Sequence, residues 1–188
     1  MPVLSPLGLR TVTVGAALAA TLWQVAPASA APHSGPGVRL GLATHQTEST
    51  LFGNTDDYQS LGASLGLDYQ WALNPRFSLS PFLSFTMEGT GDLPEEPTVY
   101  HSLLGLEGRF WFQDVYLGAH AGGMHQTVDA DTYDQDGTGL AFGLSLGLET
   151  DGGTFYEARF VRGQDLDFWA DNEADVTGVR LNVGFRFH

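Results

Sequence analysis

From Val38 to its C-terminal end the chain alternates apolar and polar residues with a period of two. That is the repeat of a β-strand whose two faces meet unlike surroundings. The clearest segment sets Leu61, Ala63, Leu65, Leu67, Tyr69 and Trp71 against Ser60, Gly62, Ser64, Gly66, Asp68 and Gln70. A later one sets Leu140, Phe142, Leu144, Leu146 and Leu148 against Ala141, Gly143, Ser145, Gly147 and Glu149. The last sets Val179, Leu181, Val183, Phe185 and Phe187 against Arg180, Asn182, Gly184 and Arg186. Runs of this kind predict eight strands, over residues 37–46, 58–72, 76–87, 99–112, 115–125, 138–149, 154–163 and 176–188. No stretch carries a helical period, so the fold class is all-β.

The connections between these runs alternate in length. Short turns fall at Ala72–Pro75, Gln113–Asp114 and Asp151–Gly153, and long polar segments at 47–57, 88–98, 126–137 and 164–175. An eight-stranded antiparallel up-and-down barrel with this pattern puts three turns and both chain ends on one side, and four loops on the other. In outer-membrane barrels the turn side is periplasmic.

Period two alone does not say whether the apolar face looks into a soluble core or out toward lipid. The polar face decides the expectation. A water-facing exterior calls for Lys, Glu, Asp and Thr, whereas this face is mostly Gly and Ser with a few charges, a composition suited to a cramped interior. Strand parity points Arg39, Asp68, Glu107, Arg109, Glu149, Glu157, Arg159, Arg180 and Arg186 inward, five cations against four anions. Charges buried in a narrow lumen must pair, and Glu107/Arg109 and Glu157/Arg159 each share a face at i, i+2. Phe82, Trp111, Tyr116 and Phe155 are expected beside them. Eight strands enclose little more than their own side chains, so any conductance is expected to be small. On the outer face Tyr69, Trp71, Phe77, Phe110, Phe112, Tyr156, Phe185 and Phe187 fall near the turn end, as an interfacial aromatic girdle does. Phe85, Tyr100, Phe168 and Trp169 fall near the loop end. Pro81, unable to donate to a ladder, predicts a local bulge in the third strand. The rival reading is a soluble, secreted lipocalin-like barrel with the leucine-rich face turned inward around a ligand.

Residues 1–30 read as a signal peptide: Arg10, an apolar run from Thr11 to Ala26, then Pro27, Ala28, Ser29 and Ala30 as a small-x-small cleavage site. The apolar run is shorter than the roughly 20 residues of a spanning helix. Residues 31–188 are then the barrel domain. Composition agrees, with 24 glycines, 12% aromatic residues and only 16% charged ones. The absence of cysteine excludes disulfides, thiolate metal sites, a cysteine nucleophile and a lipoprotein anchor. A net charge of −14 excludes nucleic acid as a partner.

Most of the remaining acids lie in the four long segments, with Arg162 the nearby cation, which predicts an anionic crown at the cell-surface end. Within it Asp129, Asp131, Asp134, Asp136 and Gly137 have the oxygen-rich character of a calcium loop, a weak divalent-cation candidate. The EF-hand spacing fails, because Leu140 stands where the bidentate Glu is required. No other cofactor is expected. His45, His101 and His120 point inward and His125 lies at a strand end. None has zinc-motif spacing, and lumen hydrogen bonding is their expected role. An esterase needs a serine activated by a histidine. His101 and Ser102 are adjacent and face opposite ways, so they cannot form that dyad with each other.

The leader, the eight alternating strands, the short-turn and long-loop pattern and the terminal Val-Gly-Phe-Arg-Phe-His together resemble small outer-membrane barrels of the OmpA and OmpX type. The resemblance implies a monomer resident in the bacterial outer membrane, surrounded by its lipid and inserted by the barrel-assembly machinery. That machinery recognises a terminal aromatic residue, and here His188 follows Phe187. The lipid A deacylases of this architecture carry a His-x-Ser pair that this sequence lacks. The expected role is therefore non-enzymatic, in envelope structure or surface interaction, with a lipid-modifying enzyme as the further alternative.

Overall fold

The computed structural model describes residues 32–51, 54–91, 97–130, 133–168 and 172–187, and every element in them is a strand. The signal-peptide reading, Asp131 and Trp169 lie outside the described residues. The strands are β1 (Gly35–Leu51), β2 (Asn54–Asn74), β3 (Phe77–Gly89), β4 (Thr98–Phe112), β5 (Val115–Ala130), β6 (Tyr133–Glu149), β7 (Thr154–Phe168) and β8 (Asn172–Arg186). Each pairs antiparallel with the next, and β8 returns to β1 from Gly37↔Arg186 to Thr50↔Glu173, closing the barrel. Closure leaves no edge of unpaired backbone groups, the condition a sheet must meet to sit in hydrocarbon.

The side each residue takes follows the alternation. On β2, Ser60, Ser64, Asp68 and Gln70 are buried while Leu61, Leu65, Leu67, Tyr69 and Trp71 stand outside. The outer face is apolar all round: Leu42, Leu104 and Leu140 expose 65%, 65% and 73% of their surface. In water this would be an apolar belt far larger than the few hundred Å2 a soluble monomer shows. Against lipid it is what the environment selects. The leucine face points out, which removes the lipocalin-like alternative.

At the turn end, the Asn74 side-chain oxygen accepts the Arg76 N–H at 2.9 Å. Gln113 closes the β4–β5 turn in a left-handed conformation, φ 60°, and Gly153 does so after β6 at φ 81°. The first and last described strands end here as well, the Phe187 N–H donating to the Pro36 carbonyl at 2.9 Å.

At the opposite end the strands outrun the sequence expectation. β5 and β6 pair as far as Ala130↔Tyr133, so the segment expected as a loop over 126–137 is mostly a hairpin. β1 and β2 pair out to Leu51↔Asn54, and β7 and β8 to Phe168↔Asn172. Above the bilayer the outer face is wet, so a strand there loses the apolar–polar contrast by which it is recognised. In β7 a bulge adds a second cause. Pairing with β8 shifts between Gly163 and Leu166, with Asp165 at φ 51°. Odd-numbered residues up to Gly163 and then even-numbered Leu166 face inward, because the extra residue reverses the parity.

No bulge forms at Pro81. The register is the same at Asp68↔Phe82 and at Trp71↔Leu79, and the β2–β3 ladder is only interrupted between them. Pro81 stays opposite Leu106 of β4. The irregularity of this hairpin lies instead at Ala72/Asn74, beside the turn.

Candidate functional site

The lower lumen is filled by one continuous set of ion pairs. Arg109 of β4 donates to Glu107 at 2.7 Å and to the Gln70 side-chain oxygen at 2.7 Å. Arg159 of β7 reaches the same Glu107 oxygen at 2.7 Å. Arg39 of β1 bridges Glu157 at 2.8 Å and Asp68 at 3.0 Å. Arg186 of β8 bridges Asp68 and Glu149, each at 3.1 Å. Tyr116 donates its hydroxyl to Glu157 at 2.8 Å, and Ser145 donates to Glu107. The guanidiniums of Arg109 and Arg159 lie 4.8 Å from the Tyr116 ring centre and 4.6 Å from that of Phe82. Trp111 and Phe155 are buried among them. The nine charges assigned inward by parity are thus all buried, and eight of them join this network, while Arg180 stands higher and bonds Ser84 at 2.7 Å.

Glycine makes this density possible. A Cβ on Gly147 would lie 2.2 Å from the Tyr116 ring, so the ring occupies the space that glycine leaves. A void lined by Arg39, Ser64, Gly66, Ser84, Arg159, Arg180 and Asn182 measures about 10 Å3, room for about one water.

The upper lumen differs from expectation in two ways. Glu88, assigned to a loop over 88–98, lies within β3 and points inward, 1% exposed. It balances the interior at five acids and five arginines. The signal was present, since Ser84, Thr86, Glu88 and Thr90 continue the inward parity of Ser78, Ser80 and Phe82. Second, Phe82, Leu103, Met124, Ala141, Val161, Leu166, Ala174 and Val176 form an apolar cluster inside the barrel. Of these, Phe82 and Ala141, the latter on the polar face of the sixth strand, were assigned inward from the sequence.

His45 and His101 are buried at this level. His45 Nδ1 lies 2.5 Å from a Glu88 oxygen, and Ser60 donates to the other oxygen of that carboxylate. The serine beside His45 therefore serves the glutamate. His120 departs from the hydrogen-bonding expectation, since neither of its ring nitrogens has a protein partner. It packs edge-on to Phe82, ring centres 5.6 Å apart. His125 lies outside the barrel, 3.1 Å from the Thr138 hydroxyl.

Around the loop-side rim the register sets acid opposite acid. Glu48 faces Asp57 on β2 and Asp175 on β8, Asp167 faces Glu173, and Asp129 faces Asp134. Glu48, Asp57, Asp129, Asp136, Asp165, Asp167 and Glu173 are exposed. Arg162 meets Asp175 at 3.5 Å. Of the calcium-loop candidates, Asp129, Asp134 and Asp136 therefore sit along two paired strands, with the Thr127 hydroxyl donating to Asp136 at 2.6 Å. At the turn end all eight girdle aromatics are exposed. Six of them form neighbouring pairs at i, i+2: Tyr69 with Trp71, Phe110 with Phe112, and Phe185 with Phe187, ring centres 5.5, 4.9 and 5.0 Å apart.

An apolar exterior, a charge-paired interior and closure at eight strands define the class, a transmembrane β-barrel of outer-membrane type. The chain belongs to the outer membrane protein beta-barrel domain family, whose model matches residues 15–187. Among solved structures it is similar to Ail, the attachment invasion locus protein of Yersinia pestis, with 18% identity and a TM-score of 0.58 over 82% of this chain and 100% of that one. The same protein in complex with the heparin analogue sucrose octasulfate gives 0.57 at 18% identity, over 83% and 100%. Neisserial surface protein A gives 0.56 at 12% identity, over 80% and 97%. At these identities the likeness is one of fold. No curated protein matches the sequence.

Proposed function

We propose that the protein is a non-enzymatic integral barrel of the bacterial outer membrane, exported by its N-terminal leader, that acts through its acidic rim as a surface-interaction platform. The observation that carries this reading is the rim itself. Carboxylates stand opposite one another across three strand junctions: exposed Glu48 with exposed Asp57, Glu48 with half-buried Asp175, which Arg162 meets at 3.5 Å, and exposed Asp167 with exposed Glu173. Like charges directly opposite destabilise a sheet, and a cationic partner relieves that cost. The lumen supports the same reading from the other side, because eight of its ten charges are paired among themselves in one network.

Charge complementarity favours a partner with clustered positive charge, reached fast and with strong salt dependence. It disfavours a sulfated polyanion of the kind seen with Ail. Fractionation with outer membranes, faster gel mobility of unboiled than boiled samples, and protease cleavage of the rim on intact cells test the placement. Recovery as a soluble periplasmic monomer would sink it. An oligolysine peptide should bind wild-type cells in low salt, and E48Q/D57N/D167N/E173Q cells much more weakly. Equal binding to both refutes the rim.

A further inference from the structure

Two histidines and a glutamate from three strands converge inside the barrel at the height where its outer apolar belt ends. His45 on β1, Glu88 on β3 and His101 on β4 each offer one ligand atom, all within 4.8 Å of one another. Each is 1% exposed. Sequence spacing conceals the group, and the register creates it: His45 pairs with Ser60, Gly62 with Glu88, and Thr86 with His101.

The internal hydrogen bonding orients the rings. Nδ1 of His45 is held by Glu88 at 2.5 Å, and Nδ1 of His101 lies 3.3 Å from the Thr86 hydroxyl. The ring centres are 4.5 Å apart. Nε2 of each ring has no hydrogen-bond partner. Buried polar atoms are almost always satisfied, so two orphaned imidazole nitrogens in one cluster need an explanation. His101 shows the arrangement of a metal-binding histidine, Nδ1 anchored by Thr86 and Nε2 presented, and at His45 a bound ion replaces the direct contact with Glu88. The fold also reserves the space, since a Cβ on Gly178 would lie 1.9 Å from the His45 ring.

We propose that His45, His101 and Glu88 form a binding site for a divalent transition-metal ion of the zinc class. Two imidazole nitrogens and a carboxylate oxygen match the donor preference of Zn2+, Ni2+ or Cu2+, whereas Ca2+ and Mg2+ take oxygen alone. Three protein ligands leave a fourth position for water. Glu88 supplies the negative charge. Arg180, held to Ser84 and with two guanidinium nitrogens lacking hydrogen-bond partners, opposes the incoming cation and limits affinity. The site is independent of the acidic rim, and neither reading needs the other.

The test is calorimetric titration of the full barrel in detergent with Zn2+. One Zn2+ should bind per barrel, and excess Ca2+ should not displace it. H45Q and H101Q should each weaken binding about tenfold or more, and R180Q should tighten it. Absence of stoichiometric Zn2+ binding overturns the proposal. So does unchanged affinity in an H45Q/H101Q double variant that still shows heat-shifted, folded mobility. If the histidine variants do not fold, pulsed electron paramagnetic resonance on Cu2+-loaded wild type decides. Two coupled imidazoles support the site, and oxygen-only ligation refutes it.

Discussion

Replacing Glu157 with glutamine is the sharpest test of the charge-filled lumen. One Glu157 oxygen accepts Arg39 at 2.8 Å, Arg159 at 3.2 Å and Asn182 at 3.2 Å. The other accepts the Tyr116 hydroxyl at 2.8 Å and Arg159 at 3.2 Å. The amide keeps the shape but removes the charge, and its NH2 must face donors in either orientation. Removing one partner of a buried ion pair costs about 3–5 kcal/mol, and each stranded donor about 1–3 kcal/mol. Arg39 keeps Asp68 and Arg159 keeps Glu107, which holds the expected loss to about 4 kcal/mol rather than their sum. The assay is reversible urea unfolding in detergent or thin bilayers, followed by tryptophan fluorescence. R162Q, which cuts the exposed pair with Asp175, is the control and should cost less than about 1 kcal/mol. E157Q/R159Q should be more stable than E157Q alone, because the second change restores the balance of interior acids and arginines while Glu107 keeps Arg109. A loss from E157Q no larger than that from R162Q, or a double variant worse than E157Q, would refute the reasoning.

Three further outcomes follow from the same geometry. G147A should cost about 1–3 kcal/mol by forcing the Tyr116 ring aside, whereas G123A, whose Cβ meets nothing within 4 Å, should be near neutral; paired urea midpoints check this. L144R, on the lipid face, should lose about 2–4 kcal/mol in the same titration, and an unchanged midpoint would mean that Leu144 does not face lipid. In single-tryptophan variants, brominated lipid should quench Trp71, which is exposed among the girdle aromatics, and leave Trp111 largely unquenched, because its indole N–H is tied to Ser78 inside the barrel at 2.9 Å.

Much of this was legible in the sequence, and the rest fails for definable reasons. Alternation identified all eight strands and assigned the inward face of Arg109 and the outward face of Leu144, because within the bilayer every residue meets either lipid or lumen. It could not extend β5 to Ala130, because there the outward residues Thr127 and Asp129 are polar while the inward ones are mixed, Gln126 with Val128, so the contrast of an apolar outer and a polar inner face is lost. It lost β7 at Gly163, because the bulge at Asp165 breaks parity before Leu166. Partners across the barrel were out of reach. Parity put Arg39 and Glu157 inside, but only closure, which makes β1 the neighbour of β8, brings β7 within range of Arg39. The cluster of His45, Glu88 and His101 was hidden for a related reason. Parity gives a side chain's direction, while its height comes from the cumulative register of several hairpins, and truncating β3 before Glu88 removed one of the three residues.

Recognising the loop-side ends as hairpins changes what the acidic crown is able to do. A flexible loop lets its carboxylates move apart, and a partner must then order them, at roughly 1–2 kcal/mol per backbone residue fixed. In paired strands the separation is set by the ladder, so Glu48 stays opposite Asp57 and Asp175, and Asp167 stays opposite Glu173, with the repulsion present before any partner arrives. That repulsion must be offset within the fold, in part at the rim by the Arg162–Asp175 pair and otherwise by the closed ladder and the paired lumen beneath it. Ordering is thereby completed during folding, and a cationic partner gains the relief of repulsion without the loop-ordering cost. The two charge systems divide the work. Five arginines turned inward neutralise the interior acids, and among the described strands that removal of positive charge from the exterior leaves the rim strongly anionic.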